Sequence, residues 1–273
     1  MLQKDIWRSS REEIKSRFAV MTVNYTSDYF GSELFVLDYT SLAKVIVDQF
    51  NPHRILDVGC GPGHLSREFA QLGRHVVAID GFSSPDFHNL PVRFMRVDLN
   101  NPEQIVQTIA RETFDLVVCV EVAEHLRPEV SEVLTEALTT AADVVIFSAA
   151  VPNQGGHGHI NLRPRDYWHS QFSKQGFVCG DRLRSILRSR DQVAPWYRMN
   201  VLDYVRKGSQ FEPDPEGVIA RLVASESNAT SEFYGCCNCL QKASNQLDAF
   251  PVNAALRVRQ LAGKLRRRMF GNG

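Results

Sequence analysis

A chain of 273 residues in which 31 Lys and Arg balance 31 Asp and Glu carries no formal net charge. That length allows one large core or one core with an appendage, while the neutral balance argues against the strongly basic surface of a nucleic-acid-binding protein. No apolar run approaches the roughly 20 residues that span a bilayer, and the charged start of the chain lacks the apolar stretch of a secretion signal. We therefore expect a soluble, cytoplasmic protein that does not bind DNA.

The regular elements begin with a helix predicted over residues 39–50, after which short apolar runs alternate with helical patterns. Five of the apolar runs are predicted strands, at residues 54–58, 75–79, 92–97, 115–120 and 144–148. The helical patterns between them lie at residues 64–72, 102–111 and 128–140. This alternation predicts parallel strands joined by crossover helices and therefore a doubly wound α/β sheet, in which ligands bind beyond the carboxyl ends of the strands.

Three more elements are predicted after the fifth strand. Pro164 opens a helix that runs through Gln175, and Gly176 ends it. Apolar runs at residues 177–179 and 199–205 then predict two final strands.

The most informative stretch follows the first strand, where residues 56–63 read Leu-Asp-Val-Gly-Cys-Gly-Pro-Gly. Glycines at alternate positions, Gly59, Gly61 and Gly63, leave backbone on which a ligand can lie directly. The helix that starts behind them offers free N–H groups and the positive end of its dipole. This arrangement suits a nucleoside cofactor that carries a carboxylate, and the spacing differs from the Gly-x-Gly-x-x-Gly pattern of dinucleotide sites.

Acidic residues close four successive predicted strands, at Asp57, Asp80, Asp98 and Glu121. Parallel strands bring their carboxyl ends to one edge of a sheet, so these side chains are expected at the same edge. Asp80 lies about 20 residues beyond the glycines, which is where a carboxylate accepts hydrogen bonds from ribose hydroxyls.

In this order the motifs resemble those of the class I S-adenosylmethionine-dependent methyltransferases, over roughly residues 35–206. The resemblance implies a Rossmann-like, mostly parallel sheet of seven strands with an antiparallel edge hairpin. It also implies S-adenosylmethionine as cofactor, with the glycine turn at the methionine end, Asp80 at the ribose, and Asp98 and Leu99 at the adenine. Asp57 and Glu121 complete the implied cofactor pocket.

The resemblance divides the chain into three parts. Residues 35–206 are the implied S-adenosylmethionine-binding domain. Residues 1–34 are a predicted N-terminal cap segment, whose aromatic side chains either cover the cofactor or pack on the fold. Residues 207–273 are predicted to form a linker rich in Gly and Pro, followed by a C-terminal helical tail.

A second group of polar residues lies around the end of the fourth strand. Glu124 and His125 follow Glu121 at a spacing that brings them together in a helical turn, and His159 comes from the loop after the fifth strand. By resemblance to metal-assisted small-RNA 2′-O-methyltransferases, these four residues would bind a divalent ion. Without a metal, His125, Glu124 and His159 would act as a general base or orient the acceptor. A purely structural role remains the third interpretation.

The methyl acceptor is less well indicated than the cofactor. The stretch from Gly155 to Asn200 resembles a bacterial branch of the family that acts on saccharides and small metabolites. Aromatic side chains in this stretch could stack on an acceptor or simply pack within the fold; they are Tyr167, Trp168, Trp196 and Tyr197. We expect transfer to a hydroxyl, less readily to an amine. The alternatives are a metal-assisted RNA 2′-O-methyltransferase, which the neutral charge disfavours, and a non-catalytic S-adenosylmethionine-binding partner protein.

The C-terminal part contains two further features. Cys236, Cys237 and Cys239 are three close thiols without the second pair that a zinc site usually requires. Residues 254–270 form a predicted basic amphipathic helix, which could pack on its own domain, bind an anionic membrane surface or contact RNA.

Overall fold

The computed structural model describes residues 38–213, and the predicted cap segment, the three clustered thiols and the basic tail lie outside this range. Seven strands form one sheet, and their bounds are β1 Arg54–Val58, β2 His75–Asp80, β3 Val92–Arg96, β4 Leu116–Val120, β5 Val144–Ser148, β6 Phe177–Gly180 and β7 Leu202–Arg206. The helices are α1 Tyr39–Phe50, α2 His64–Gln71, α3 Pro102–Ile109, α4 Ser131–Ala141, α5 Arg165–Lys174, α6 Arg182–Leu187 and α7 Pro195–Asn200. Two short 3₁₀ turns span Ala123–His125 and Pro128–Val130.

The strand order is β3-β2-β1-β4-β5-β7-β6, so the chain first builds outward from β1 and then returns to the other side through β4. All pairs from β3 to β5 are parallel, whereas β7 runs antiparallel to both β5 and β6. The predicted doubly wound, Rossmann-like sheet with an antiparallel edge hairpin is therefore confirmed. Strands β1 and β4 are parallel, but the order in which the chain adds strands to the sheet reverses between them, and such sheets bind ligands at this switch point.

Two apolar layers hold the helices on the sheet. Successive strand side chains point to opposite faces, so Ile55 packs in the layer with α1, α2 and α6 while its neighbour Leu56 packs in the layer with α3, α4 and α5. Strands buried on both faces read as continuous apolar runs, which is why β4 and β5 were visible in the sequence. The described range has no helix that combines the length and the apolar character needed to cross a membrane.

The prediction was wrong in one region between the fifth and last strands. The expected strand over residues 199–205 begins only at Leu202, because its first residues belong to α7. Pro195 stands at the first position of α7, where its fixed φ favours helix and its missing N–H costs nothing. The six-residue helix α6 was not predicted, because a helix of that length leaves almost no periodic pattern to detect.

Candidate active site

The glycine turn leaves β1 and leads directly into α2 at the carboxyl edge of the sheet. Gly59, Gly61 and Gly63 have φ values of 74°, 52° and 78°, a left-handed conformation that other residues adopt at a cost. The backbone N–H of Gly59 donates to the Ile79 carbonyl at 2.8 Å, which holds the turn against β2. A Cβ on Gly59 would lie 2.4 Å from Cγ2 of Val122, so the turn and the segment after β4 pack with no room for a side chain.

Asp80 ties the end of β2 to the glycine turn. Its Oδ2 accepts from the Gly61 N–H at 3.0 Å, and its Oδ1 accepts from the N–H groups of Phe82 and Ser83 at 2.7 Å each. The carboxylate is 8% exposed. Three backbone donors occupy only part of the roughly four acceptor positions of a carboxylate, so Asp80 retains acceptor capacity beside the glycines.

Asp57 lies at the same edge but is enclosed. Its Oδ2 accepts from the Ser66 hydroxyl at 2.5 Å, and burial raises its pKa to about 7, with a further contribution from the charge of Asp80. Asp98 differs from these residues because it follows the end of edge strand β3 and is exposed, and its carboxylate accepts from the Asn100 N–H at 2.8 Å. The side chain of Leu99, beside it, is buried in the core.

Glu121 follows β4 in a left-handed conformation with φ 54°. Its N–H donates to the Ser148 carbonyl at 3.0 Å, which fixes it beside the end of β5. Both carboxylate oxygens accept from side-chain amides: Oε1 from Nδ2 of Asn200 at 3.2 Å and Oε2 from Nε2 of Gln154 at 3.0 Å. Burial raises the pKa of Glu121, and hydrogen bonds from Ser148, Asn200 and Gln154 oppose that rise.

The structure brings Glu124, His125 and His159 together, with one possible ligand atom from each lying within 4.8 Å of the others. The two imidazole rings meet edge to face with centroids 4.9 Å apart. Glu124 is fully buried, and its carboxyl lies beside that of Glu121 and near the backbone N–H groups of Glu124 and Ala150. Glu121 is not part of this group of three: its carboxyl neighbours that of Glu124, and its oxygens accept from the amides of Gln154 and Asn200.

The protonation states in this cluster follow from burial. Burial and the neighbouring Glu121 carboxylate raise the pKa of Glu124 well above its usual range. Burial, reinforced by His159, lowers the pKa of His125 to about 4, and burial also lowers that of His159. Both imidazoles are therefore neutral near pH 7, and a neutral imidazole has the lone pair required of a base or a metal ligand.

The loop after β5 is what carries His159 to the cluster. The N–H groups of Ile160 and Asn161 donate to the Glu124 carbonyl at 2.8 Å and 3.0 Å, so the loop is fastened to the 3₁₀ turn. The His159 ring packs directly over Gly156, where a Cβ would lie 2.1 Å from the ring. Gly156 therefore creates the space in which His159 stands.

The aromatic residues of the second half divide into two groups. Trp168 is 3% exposed and packs on Phe147 with ring centroids 5.1 Å apart, so it belongs to the core and is unavailable to an acceptor. Tyr167, Trp196 and Tyr197 keep some exposed surface.

A pair of tyrosines stands close to the acidic edge. Tyr39, the first residue of α1, stacks on His64 with ring centroids 5.2 Å apart and forms a hydrogen bond with Tyr197 of α7. Burial raises the pKa of Tyr39 to about 12 and raises that of Tyr197 well above its ordinary value. Both phenols are therefore neutral hydrogen-bonding groups at ordinary pH.

The sequence interpretation missed Gln154, Asn200 and Arg165 as parts of the site. They lie 33, 79 and 44 positions after Glu121 in the chain, and single amides or arginines so far apart form no pattern. Only the packing of α5, α7 and the loop after β5 brings them together.

The chain is similar to known methyltransferases. Residues 38–185 match a family model described as a methyltransferase domain. A ubiquinone biosynthesis O-methyltransferase of Ruegeria sp. (strain TM1040) is 32% identical over 182 residues, which cover 59% of this chain and 64% of that protein. The enzyme of the same name from Hahella chejuensis (strain KCTC 2396) is 36% identical over 96 residues, covering 32% of this chain and 38% of that protein. The chain thus spans less than two thirds of the length of these relatives.

Among solved structures, magnesium protoporphyrin IX methyltransferase from Synechocystis PCC 6803 with bound SAM aligns with 62% of this chain and 77% of its own. Its sequence identity is 22% and its TM-score is 0.42.

Proposed function

The chain belongs to the methyltransferase domain family, and from that membership we propose that it transfers a methyl group from S-adenosylmethionine to a hydroxyl, less readily an amine, of a small metabolite or saccharide. The observation that carries this proposal is the glycine turn. Three left-handed glycines form the turn at the carboxyl edge of the sheet, where Asp57, Asp80 and Glu121 lie at or beside the strand ends. A backbone turn surrounded by carboxylates suits a cationic nucleoside better than it suits a phosphate.

Each part of the cofactor has residues suited to it. When bound, S-adenosylmethionine supplies an electrophilic methyl group on a positively charged sulfur. We assign its methionine end to the glycine turn, with Asp57 and Glu121 nearby, and its ribose to the remaining acceptor capacity of Asp80. Asp98 and Leu99 are assigned to the adenine from the family resemblance; Asp98 offers an exposed carboxylate there, whereas the Leu99 side chain is buried in the core beneath it.

His125, Glu124 and His159 supply the acid–base chemistry of the proposed reaction. A hydroxyl acceptor must lose its proton as it takes the methyl group, and a neutral imidazole within hydrogen-bonding reach can receive that proton. Burial keeps both His125 and His159 neutral. Holding the acceptor in line supplies the larger effect, because positioning alone is worth about 7–11 kcal/mol of a two-substrate barrier.

The same cluster supports a metal-assisted form of the reaction. Two imidazoles and a carboxylate form a ligand set that divalent transition metals accept. Glu124 fits this role because it is a fully buried carboxyl beside both imidazoles, and a buried carboxylate is costly without a cation or a proton. Glu124, His125 and His159 would hold the ion, which would favour the ionised acceptor oxygen.

Binding of the cofactor is the first test. Calorimetric titration of the protein with S-adenosylmethionine should show one site, and Asp80→Ala should weaken it at least tenfold because the ribose acceptor and the anchor of the Gly61 N–H are both lost. Asp86→Ala is the matched control, since Asp86 is an exposed carboxylate in the loop that follows Asp80. Wild-type protein that leaves S-adenosylmethionine unbound would refute the proposal.

The acceptor is identified by transfer of a labelled methyl group to fractionated metabolites, with and without a chelator. Label should enter a small-molecule or saccharide fraction. Loss of transfer on chelation and its recovery with an added divalent metal would support the metal-assisted form, whereas indifference to chelators would leave the imidazoles as bases. Label in RNA would favour an RNA 2′-O-methyltransferase, and binding without transfer would favour a non-catalytic partner.

A further inference from the structure

Two side-chain amides and an arginine lie behind Glu121, deep between the sheet and its last helices. Asn200 at the end of α7 and Gln154 after β5 are 2% and 6% exposed, and Arg165 at the start of α5 is 3% exposed. They come from three separate elements and converge on one carboxylate. Burying so many polar groups is costly unless they are paired.

Arg165 fixes which way the Asn200 amide faces. Its Nη2 donates to Oδ1 of Asn200 at 2.8 Å. A guanidinium can only donate, so the amide oxygen must face Arg165 and the amide NH₂ must face away from it. That NH₂ meets Oε1 of Glu121 at 3.2 Å and Oε1 of Gln154 at 2.8 Å.

The orientation of Asn200 in turn fixes Gln154. Oε1 of Gln154 accepts from the Asn200 amide and from the Val151 N–H at 3.3 Å. With its oxygen engaged on both sides, Gln154 has only its NH₂ to present to Glu121, and Nε2 donates to Oε2 at 3.0 Å. Both oxygens of Glu121 therefore receive an N–H donor, and the donor-only guanidinium of Arg165 favours the same direction for both bonds.

We propose that Arg165, Asn200 and Gln154 form a positioning relay that holds the Glu121 carboxylate in the orientation required for binding S-adenosylmethionine. This inference rests on the proposed function, because it assigns Glu121 to the cofactor pocket. Glu121 is well placed for that role: Val122, the next residue, packs against Gly59 of the glycine turn. The three relay residues act only through Glu121, and none is assigned a contact with the cofactor.

The relay also explains why amides contact Glu121 directly, while Arg165 contacts Asn200 and not the carboxylate itself. An arginine paired directly with Glu121 would neutralise the carboxylate and place positive charge beside a cationic cofactor. Amide donors fix the oxygens without adding a positive charge beside them. Hydrogen bonds to an ionised acceptor are about twice as strong as neutral ones, so two amides suffice to orient it.

The test is a double-mutant cycle read out as affinity for S-adenosylmethionine by calorimetry. Asn200→Asp keeps the size of the side chain and can still accept from Arg165, but it places an oxygen where Glu121 needs a donor. We expect about tenfold weaker binding in this variant, the fold-change that corresponds to about 1.4 kcal/mol. In a Glu121→Gln background the same substitution should change affinity less than threefold, because no carboxylate remains to be positioned or repelled.

Arg165→Lys and Arg184→Lys form a matched pair. Both arginines are buried and both donate to the Met199 carbonyl, but only Arg165 is bonded to the Asn200 side chain. We expect Arg165→Lys to weaken binding about fivefold or more and Arg184→Lys to leave it within twofold. Thermal unfolding without ligand, recorded for every variant, monitors the fold itself.

The outcomes separate the relay from the proposed function. Wild-type protein that binds no S-adenosylmethionine overturns the proposed function. Wild-type binding that Asn200→Asp and Arg165→Lys leave unchanged overturns the relay alone. An equal loss of affinity from Asn200→Asp in the wild-type and Glu121→Gln backgrounds also overturns the relay, because Asn200 would then act independently of the Glu121 carboxylate.

Discussion

Replacing Gly59 by alanine tests the close packing on which the proposed cofactor site depends. The φ of 74° places the residue in the left-handed region, which costs an L-residue about 1–2 kcal/mol. The added Cβ would also lie 2.4 Å from Cγ2 and 2.8 Å from Cγ1 of Val122, and overpacking of this kind costs typically about 1–3 kcal/mol. Together these terms predict a loss of about 2–5 kcal/mol in the free energy of unfolding.

Gly73 offers a control that isolates the first of these terms. Its φ is 77°, almost equal to that of Gly59, and a Cβ there would meet nothing within 4 Å. Gly73→Ala should therefore lose only the conformational term, about 1–2 kcal/mol. The difference between the two variants measures the collision with Val122.

Urea unfolding followed by circular dichroism provides both free energies. In a domain of this size about 1 kcal/mol moves Tm by roughly 2–4 °C, so the two variants should also differ in thermal melts. Val122→Ala removes the two methyl groups that collide but leaves Cβ at 3.2 Å, so it should recover part of the loss in Gly59→Ala. Equal losses in Gly59→Ala and Gly73→Ala, or a loss that Val122→Ala does not relieve, would refute the packing argument.

Two further substitutions separate stability from activity. Burial raises the pKa of Asp57 to about 7 in the folded protein, against 3.8 for the free side chain, so ionised Asp57 lowers stability progressively as pH rises between these values. Asp57→Asn should therefore raise the free energy of unfolding at pH 8 by up to about 4 kcal/mol and change it little at pH 4. An equal effect at both pH values in urea unfolding would contradict this. Gly156→Ala should push the His159 ring away and lower methyl transfer at least tenfold with little change in Tm; unchanged transfer rates would mean that His159 has no catalytic role.

The sequence predicted those parts of the fold whose signal is local. The helix over residues 39–50 appears as α1 with the same bounds, because its apolar positions repeat with helical period and Asp38 caps its start. Strands β1, β2, β4 and β5 were visible as apolar runs, since strands covered on both faces must be largely apolar. The prediction failed at residues 199–205, because the helix that begins at Pro195 extends to Asn200 and includes the first residues of the expected strand.

The residues of the candidate site likewise fall into those that local sequence patterns predicted and those that only packing brings together. Glycine spacing and acidic strand ends placed Gly59, Asp57, Asp80 and Glu121 at one sheet edge, because a parallel sheet brings the carboxyl ends of its strands together whatever the details of packing. The sequence also suggested His159 beside His125, but it could not exclude Glu121 from that cluster.

By itself, then, the sequence determined the sheet, the glycine turn and the edge at which chemistry is possible, because each depends on neighbours along the chain. Tertiary structure decided which side chains hydrogen-bond to one another at that edge. The bonds from Arg165 through Asn200 and Gln154 to Glu121 join four separate segments. Hydrogen bonds form between groups that packing brings within about 3 Å, and no local pattern in the chain encodes that proximity.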